Sequence, residues 1–125
     1  MADGDTSACA PAVDKDLLKS IKIKSGVVKR VHKEGQYYVK EAEKLKQKVV
    51  KMKEDGADEY DVRKQEEVAQ ESESMIPDSE RRLKVAIEDL KNVLSGVSDS
   101  DTATRETSEY KTAIEVLDAA TQSAS

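Results

Sequence analysis

The feature that most constrains this chain is an apolar seam with a period of 3.5 residues along its first half. Alternating steps of four and three residues meet apolar or small side chains at nine of eleven positions, and only Lys24 and Gly35 interrupt the run. The eleven positions are Leu17, Ile21, Lys24, Val28, Val31, Gly35, Tyr38, Ala42, Leu45, Val49 and Met52. This period predicts a long helix wound left-handedly against partner helices. A helix over residues 14–55 would be about 60 Å long and could not bury its seam alone.

A second seam predicts where the partner helix lies. It runs through Val62, Gln65, Ala69, Ser72, Ile76, Ser79, Leu83, Ala86, Leu90 and Val93, with Ile87 and Leu94 widening its second half. Phe and Trp are absent and 38% of the residues are charged, which suits a narrow helical core better than a deep pocket. We therefore predict an all-α fold, an elongated antiparallel three-helix bundle with left-handed coiled-coil-like packing. The second helix is expected to be kinked at Pro77, or to be two consecutive helices there.

Turn and capping residues give the expected boundaries. Residues 1–13 are predicted to be a disordered arm, and residues 14–120 to form the bundle, with helices over about 14–55, 61–95 and 101–120. Asp14 and Asp61 are the expected N-caps of the first two helices, and Gly56 the stop of the first. Residues 121–125 are expected to fray.

The residue inventory argues against an enzyme and against a cofactor or metal site. His32 is the only histidine and Cys9 the only cysteine, so neither a metal cluster nor an internal disulfide can form from them. A Cys9–His32 nucleophilic pair would need the arm to be ordered, and the simpler reading is that His32 is a partly exposed helix residue. No segment is apolar enough to be a membrane span or a signal peptide, and we expect a soluble intracellular protein.

Charge is distributed unevenly along the chain. Residues 15–55 hold thirteen Lys or Arg against six Asp or Glu, while the whole chain has a net charge of −5. Such a basic helix indicates pairing within the fold first and an acidic protein partner second. Nucleic acid and membranes are not expected partners, because Tyr37 and Tyr38 are the only aromatic residues among these lysines and the apolar stripe is narrow.

Four segments of the two long helices form a specific pattern. They are IKIKSGVVKR at residues 21–30, YYVKEAEKL at 37–45, YDVRKQ at 60–65 and QESESMIPDSERRL at 70–83. Together these segments resemble the tubulin-binding cofactor A family. The similarity covers about residues 20–95 and includes a proline within the second helix. Two positions differ from the family: Gly35 stands where a good helix former is usual, and Ser79 where cysteine is frequent.

The resemblance implies a cytoplasmic, cytoskeleton-associated chaperone without enzymatic activity. It would capture and stabilise β-tubulin folding intermediates for later assembly with α-tubulin, alongside other tubulin-folding cofactors. The alternative from another functional class is a structural coiled-coil adaptor that recruits a helical protein. Either protein could be a monomer or a weak homodimer.

Charged residues in the matching segments are the candidate partner-binding site. We expect the cations Lys22, Lys29, Arg30, Lys33, Arg81 and Arg82 to meet the acidic surface of β-tubulin, and Glu71 and Asp78 to accept hydrogen bonds from it. The competing interpretation is that these side chains pair with carboxylates and cations of the bundle itself.

Overall fold

Four helices make up the part of the chain that the computed structural model describes, which is residues 13–124, with side chains up to residue 122. They are α1 (Lys15–Glu54), α2 (Glu59–Ser95), α3 (Thr102–Arg105) and α4 (Ser108–Ala124). No strand occurs among these residues, and the predicted all-α class is confirmed. The arm predicted over residues 1–13, with Cys9, lies outside the described residues except for Val13.

The contacts divide the chain into two compact units. The hairpin unit consists of residues 31–83, and the terminal unit consists of described residues 13–30 and 84–124. Both long helices contribute a segment to each unit.

Antiparallel packing of α1 on α2 forms the hairpin unit. Two ion pairs, Lys46 with Glu73 and Lys53 with Glu66, join the helices on one side. The later residue of α1 pairs with the earlier residue of α2, as expected for helices that run in opposite directions. The buried cluster near the turn consists of Val49, Val62 and Ala69, with Leu45, Met52 and Ala57 packed against it. The chain direction therefore agrees with the antiparallel arrangement predicted from the sequence.

The 3.5-residue seam matches the burial of both long helices. All eleven seam positions of α1 and all ten of α2 are buried or half-buried, including the polar Lys24, Gln65, Ser72 and Ser79. Ile87 and Leu94, expected to widen the second seam, are each 8% exposed. Val68 and Met75, which flank the weaker first half of that seam, are 48% and 38% exposed. The period thus identified the inward residues of each helix, including polar ones.

Gly56 allows the turn that ends α1. Gly56 has a φ of +73°, and the amides of Gly56 and Ala57 donate to the carbonyls of Lys53 and Met52 at 3.2 and 2.9 Å. This pair of bonds is a Schellman motif, in which glycine adopts the left-handed conformation at the lowest steric cost.

Asp58 is the N-cap of α2, because its Oδ2 accepts the amide of Tyr60 at 3.2 Å. The prediction that Asp61 caps this helix is wrong, since the helix has already begun at Glu59. Asp14 caps α1 as predicted, and its Oδ1 accepts the amides of Asp16 and Leu17.

Pro77 lies within α2 and does not end it. The helix runs without interruption from Glu59 to Ser95, so the alternative of two consecutive helices is wrong. Pro77 is exposed on the outer face of the helix. Because proline has no backbone N–H, the helix loses one hydrogen bond at this position, to the carbonyl one turn earlier. A kink in this continuous helix remains a prediction.

The third predicted helix is divided into α3 and α4. Asp101 caps α3 by accepting the amide and the hydroxyl of Thr104 at 3.1 and 2.7 Å. The amide of Thr107 then bonds to the carbonyl of Thr104, and the Thr107 hydroxyl accepts the amide of Tyr110. Thr107 therefore closes one helix and caps the next. α4 continues to Ala124, past the end predicted at residue 120.

Arg105 organises the loop before these helices in the terminal unit. Its guanidinium donates to the carbonyls of Val97 and Ser98 at 3.1 and 3.0 Å, to Asp99 at 3.1 Å and to the hydroxyl of Tyr110 at 3.2 Å. The fully buried residues of this unit include Ile21, Val28, Leu90, Ala113 and Ala120, all at 0% exposure.

Candidate functional site

The predicted site residues of the terminal unit are on α1. Lys22, Lys29 and Arg30 are exposed, and no ion pair involves them among the described residues. The backbone carbonyl of Lys22 accepts the hydroxyl of Ser25 at 3.1 Å, and the lysine side chain is not part of this bond. These three cations are free to meet a partner.

The predicted site residues of the hairpin unit behave in two different ways. Lys33 on α1 and Glu71 on α2 are exposed without an ion pair in the described structure. Asp78, Arg81 and Arg82 instead form a cluster within α2, in which Oδ1 of Asp78 accepts a hydrogen bond from Arg81 at 3.0 Å and Oδ2 forms an ion pair with Arg82 at 3.4 Å. All three side chains are about half exposed or more, so solvent screens the pairs and each contributes little to stability.

This cluster changes what Asp78 can offer a partner. Its carboxylate is already occupied by two guanidinium groups, whereas each arginine keeps other N–H donors directed to solvent. The cluster therefore presents a cationic surface that Asp78 holds in place. Acceptance of a hydrogen bond from a partner by Asp78 remains a prediction, because a carboxylate has acceptor sites beyond these two contacts.

Two ion pairs between α1 and α2 in the hairpin unit were not predicted from the sequence. The side chain of Lys46 bonds to Glu73, and Lys53 lies 3.3 Å from Glu66. The hydrogen bond that Lys46 donates to Glu73, and then the charge of Glu73, raise the pKa of Lys46 above the ordinary lysine value. The sequence spacing could have predicted these ion pairs. Each of the four charged residues comes one position after a seam residue, and residues that flank the seams of two packed helices lie close enough to pair.

His32 remains outside any cluster that could carry chemistry. It is half-buried, and its Nε2 atom is enclosed without a hydrogen-bond partner among the described atoms. No group of three or more His, Cys, Asp or Glu residues in the described part of the chain is arranged to hold a metal ion. None of the helices that the structure describes combines the length and apolarity of a membrane span.

Comparison with known proteins connects this helical surface to one family. The family model described as Tubulin binding cofactor A matches residues 16–117, which begin near the start of α1 and end within α4. The human protein "Tubulin-specific chaperone A" is 46% identical over 101 residues, which cover 81% of this chain and 90% of the human one.

Solved structures of similar proteins have the same fold. Tubulin folding cofactor A from Arabidopsis thaliana superposes with a TM-score of 0.80 at 35% identity, covering 87% of this chain and 99% of that one. The human tubulin chaperone cofactor A superposes with a TM-score of 0.68 at 43% identity, covering 82% and 96% of the two chains. With a family match across almost all of its helical sequence, this chain belongs to the tubulin binding cofactor A family.

Proposed function

We propose that this protein is a tubulin-folding cofactor that captures β-tubulin folding intermediates and holds them for assembly with α-tubulin. The observation that carries this function is the extent of the family match, which spans residues 16–117 and therefore both long helices and most of α4. The protein acts by binding, in the cytoplasm and in association with the cytoskeleton. Other tubulin-folding cofactors receive the client from it.

Client specificity is the property that tests this function. Urea-unfolded β-tubulin, diluted into buffer with the purified protein, is expected to form a complex that migrates as one species on native gels and gel filtration. Unfolded α-tubulin and an unrelated unfolded protein of similar size serve as controls. Equal binding of all three would indicate a general holding chaperone, and binding of none would contradict the proposed function. Recovery of a folded helical protein instead of β-tubulin would favour the coiled-coil adaptor.

The exposed cations are the proposed contacts with the client. Lys22, Lys29, Arg30 and Lys33 on α1, and Arg81 and Arg82 on α2, are all exposed and fit an acidic surface. Glu71 and Asp78, also exposed, can each accept a hydrogen bond from the client, and Asp78 in addition pairs with the two arginines.

A quadruple variant tests these contacts. Replacement of Lys29, Arg30, Arg81 and Arg82 by alanine is expected to slow association with β-tubulin and to weaken its dependence on salt, because charged rims act mainly on the association rate. Helicity and thermal stability should be preserved, since the four side chains are exposed. A matched control replaces Arg63, Lys84, Lys91 and Lys111 by alanine. These four residues are also exposed, and their replacement removes the same amount of positive charge. Unchanged capture by the first variant would refute the electrostatic contacts.

A further inference from the structure

The lysines of α1 in the hairpin unit fall into two groups. Lys46 and Lys53 are used within the fold, where they pair with Glu73 and Glu66 of α2. Five others, Lys33, Lys40, Lys44, Lys48 and Lys51, are exposed and have no ion pair in the described structure. All of them except Lys48, which is turned about 60° from Lys33, lie along one line of the helix surface. These four residues, called the lysine stripe below, point away from the seam that packs on α2.

The lysine stripe is straight and narrow. At 100° per residue the four positions fall within an arc of about 40°, and they extend about 27 Å along the helix. Tyr37 lies at the edge of this arc and is 61% exposed, while Gln47 lies at the opposite edge. Between Lys33 and Lys51 no carboxylate falls on this part of the helix surface, because Glu41 and Glu43 are turned about 80° to either side.

Tyr37 adds an apolar contact to the stripe. Its ring centroid lies 5.9 Å from that of Tyr38 with the ring planes at 67°, an edge-to-face arrangement. Tyr38 is a half-buried seam residue, so this contact holds the exposed ring against the helix. A partner would therefore meet a line of positive charge with an exposed aromatic ring beside it.

We propose that the lysine stripe and Tyr37 bind an extended acidic peptide segment of a partner protein. Along the helix axis, Lys40 and Lys44 are separated by about 6 Å, close to the spacing of alternate residues in an extended chain. The other two steps, from Lys33 to Lys40 and from Lys44 to Lys51, are about 10.5 Å, between the two-residue and four-residue steps that return a side chain to the same face of an extended chain. The long side chains of lysine and glutamate span the remaining difference of about 3 Å. A segment of about nine residues rich in Glu or Asp can place a carboxylate near each lysine.

The width and surroundings of the stripe favour a peptide over nucleic acid. Glu41 and Glu43 of α1 lie about 80° to either side of the stripe, so a polyanion wide enough to reach them would meet repulsion beside it. The stripe also contains no arginine, the residue that binds phosphate through two parallel hydrogen bonds. One extended chain is narrow enough to remain on α1.

Peptide binding tests this proposal with the full-length protein. The probe is a fluorescein-labelled ten-residue peptide of glutamates with one central phenylalanine, and the same peptide with glutamine in place of glutamate is the neutral reference. We expect the acidic peptide to bind in low salt, with an affinity that falls as salt screens the exposed charges. Replacement of all four stripe lysines by glutamine should weaken binding about tenfold, as expected from four exposed charge pairs.

Two further variants exclude effects of net charge and of misfolding. One variant loses the same charge elsewhere, through replacement of Arg63, Lys84, Lys91 and Lys111 by glutamine. It should bind the peptide with the affinity of the unmodified protein. Tyr37→Ala should weaken binding of the phenylalanine peptide and leave binding of an all-glutamate peptide unchanged. Circular dichroism and thermal melts are expected to be alike for all variants, because every replaced side chain is exposed.

Several outcomes would overturn the proposal. They are an unaltered affinity in the stripe variant, an equal loss in the charge-matched control, and equal or tighter binding of a ten-nucleotide oligothymidine or of vesicles containing phosphatidylserine. The last two would assign the stripe to nucleic acid or to a membrane surface. The peptide assay uses no tubulin, so its failure is distinguishable from a failure of the proposed chaperone function. Capture of β-tubulin by the stripe variant, measured in parallel, shows whether the client uses this surface.

Discussion

Gly35 on α1 faces Ser79 on α2 so closely that a Cβ atom at position 35 would lie 2.8 Å from the Ser79 Oγ. Ser79 is 2% exposed, and both residues belong to the hairpin unit. These are the two positions at which the sequence departs from the pattern expected for the family. The structure shows that they are in contact, so the glycine in one helix accommodates the serine hydroxyl of the other.

We expect Gly35→Ala to gain nothing in stability unless Ser79 is changed with it. Alanine improves helix propensity by about 1 kcal/mol, but the new methyl group forces the buried serine hydroxyl to move, at a cost of about 1–3 kcal/mol. In a Ser79→Ala background the obstructing oxygen is absent, and the same substitution should stabilise. Urea denaturation of the two single variants, the double variant and the unmodified protein gives the coupling free energy.

Gly26 supplies the matched control for this cycle. It also lies within α1, but a Cβ placed there meets no atom within 4 Å, so Gly26→Ala should stabilise by about 1 kcal/mol through propensity alone. If Gly35→Ala stabilised the protein as much as Gly26→Ala does, the contact with Ser79 would have no energetic consequence.

The inward faces of the long helices could be predicted because burial follows the 3.5-residue period. This holds even at Lys24 and Ser79, whose polarity gives no indication of burial. The division of the third helix could not be predicted in the same way. It depends on the hydroxyl of Thr107, which donates to one carbonyl and accepts one amide, and threonine is common both within helices and at caps.

The site was harder to predict than the fold, because a lysine on a basic helix has the same local sequence whether it is paired or free. Lys46 and Lys44 are two residues apart, yet only Lys46 reaches a carboxylate of α2. The difference lies in the position of each residue around the helix relative to the seam. The cluster of Asp78 with Arg81 and Arg82 has the spacing of intrahelical pairs and could have been recognised from the sequence.

Leu83→Ala is expected to destabilise the protein by about 2–5 kcal/mol. Leu83 is a seam residue with 8% exposure, and truncation of a buried leucine removes apolar contacts and leaves a cavity. Leu45→Ala should cost less, since Leu45 is half-buried at the edge of the cluster around Val49. The measurement is the free energy of unfolding in urea.

Val85→Ala is the control for these truncations. Val85 is two residues from Leu83 on the same helix but 62% exposed, so its truncation should change stability by no more than about 0.5 kcal/mol. Equal effects at positions 83 and 85 would contradict the assignment of the inward face.

Pro77→Ala is expected to stabilise the protein by about 1–3 kcal/mol. The proline is exposed within an uninterrupted helix, and alanine restores an amide that can bond to the carbonyl of Glu73. The stability is measured by thermal and urea denaturation, with Gln70→Ala as a propensity control on an exposed position of the same helix. A loss of stability on replacement of Pro77 would mean that the proline shapes the helix to fit its partner, and would support the predicted kink.

Asp101→Ala is expected to lower the melting temperature at neutral pH and to have a smaller effect in acid. The hydrogen bonds from the Thr104 hydroxyl and amide hold the pKa of Asp101 below its usual value of 3.8. A carboxyl group with a lowered pKa in the folded state adds stability above its unfolded pKa, and this stability is lost as the pH falls through the folded value. Thermal melts of both proteins between pH 7 and pH 2 should therefore converge below about pH 3.8. Parallel curves over the whole range would show that the cap contributes only through packing.

Lys46→Gln is expected to destabilise the hairpin unit in a way that depends on alkaline pH. The hydrogen bond and charge of Glu73 raise the pKa of Lys46 above the ordinary value of 10.5. A raised lysine pKa in the folded state adds stability that is fully present below the unfolded value and is lost as the pH rises through the folded one. Melting temperatures of the variant and the unmodified protein should differ at pH 7 and converge above about pH 10.5. High salt should also reduce the difference, because both side chains are exposed.

Lys44→Gln is the control for this prediction. Lys44 is a neighbouring exposed lysine without an ion pair in the described structure, so its replacement should show neither the pH dependence nor the salt dependence. If Lys44→Gln and Lys46→Gln gave the same pH and salt profiles, the pair with Glu73 would not contribute to the stability of the hairpin.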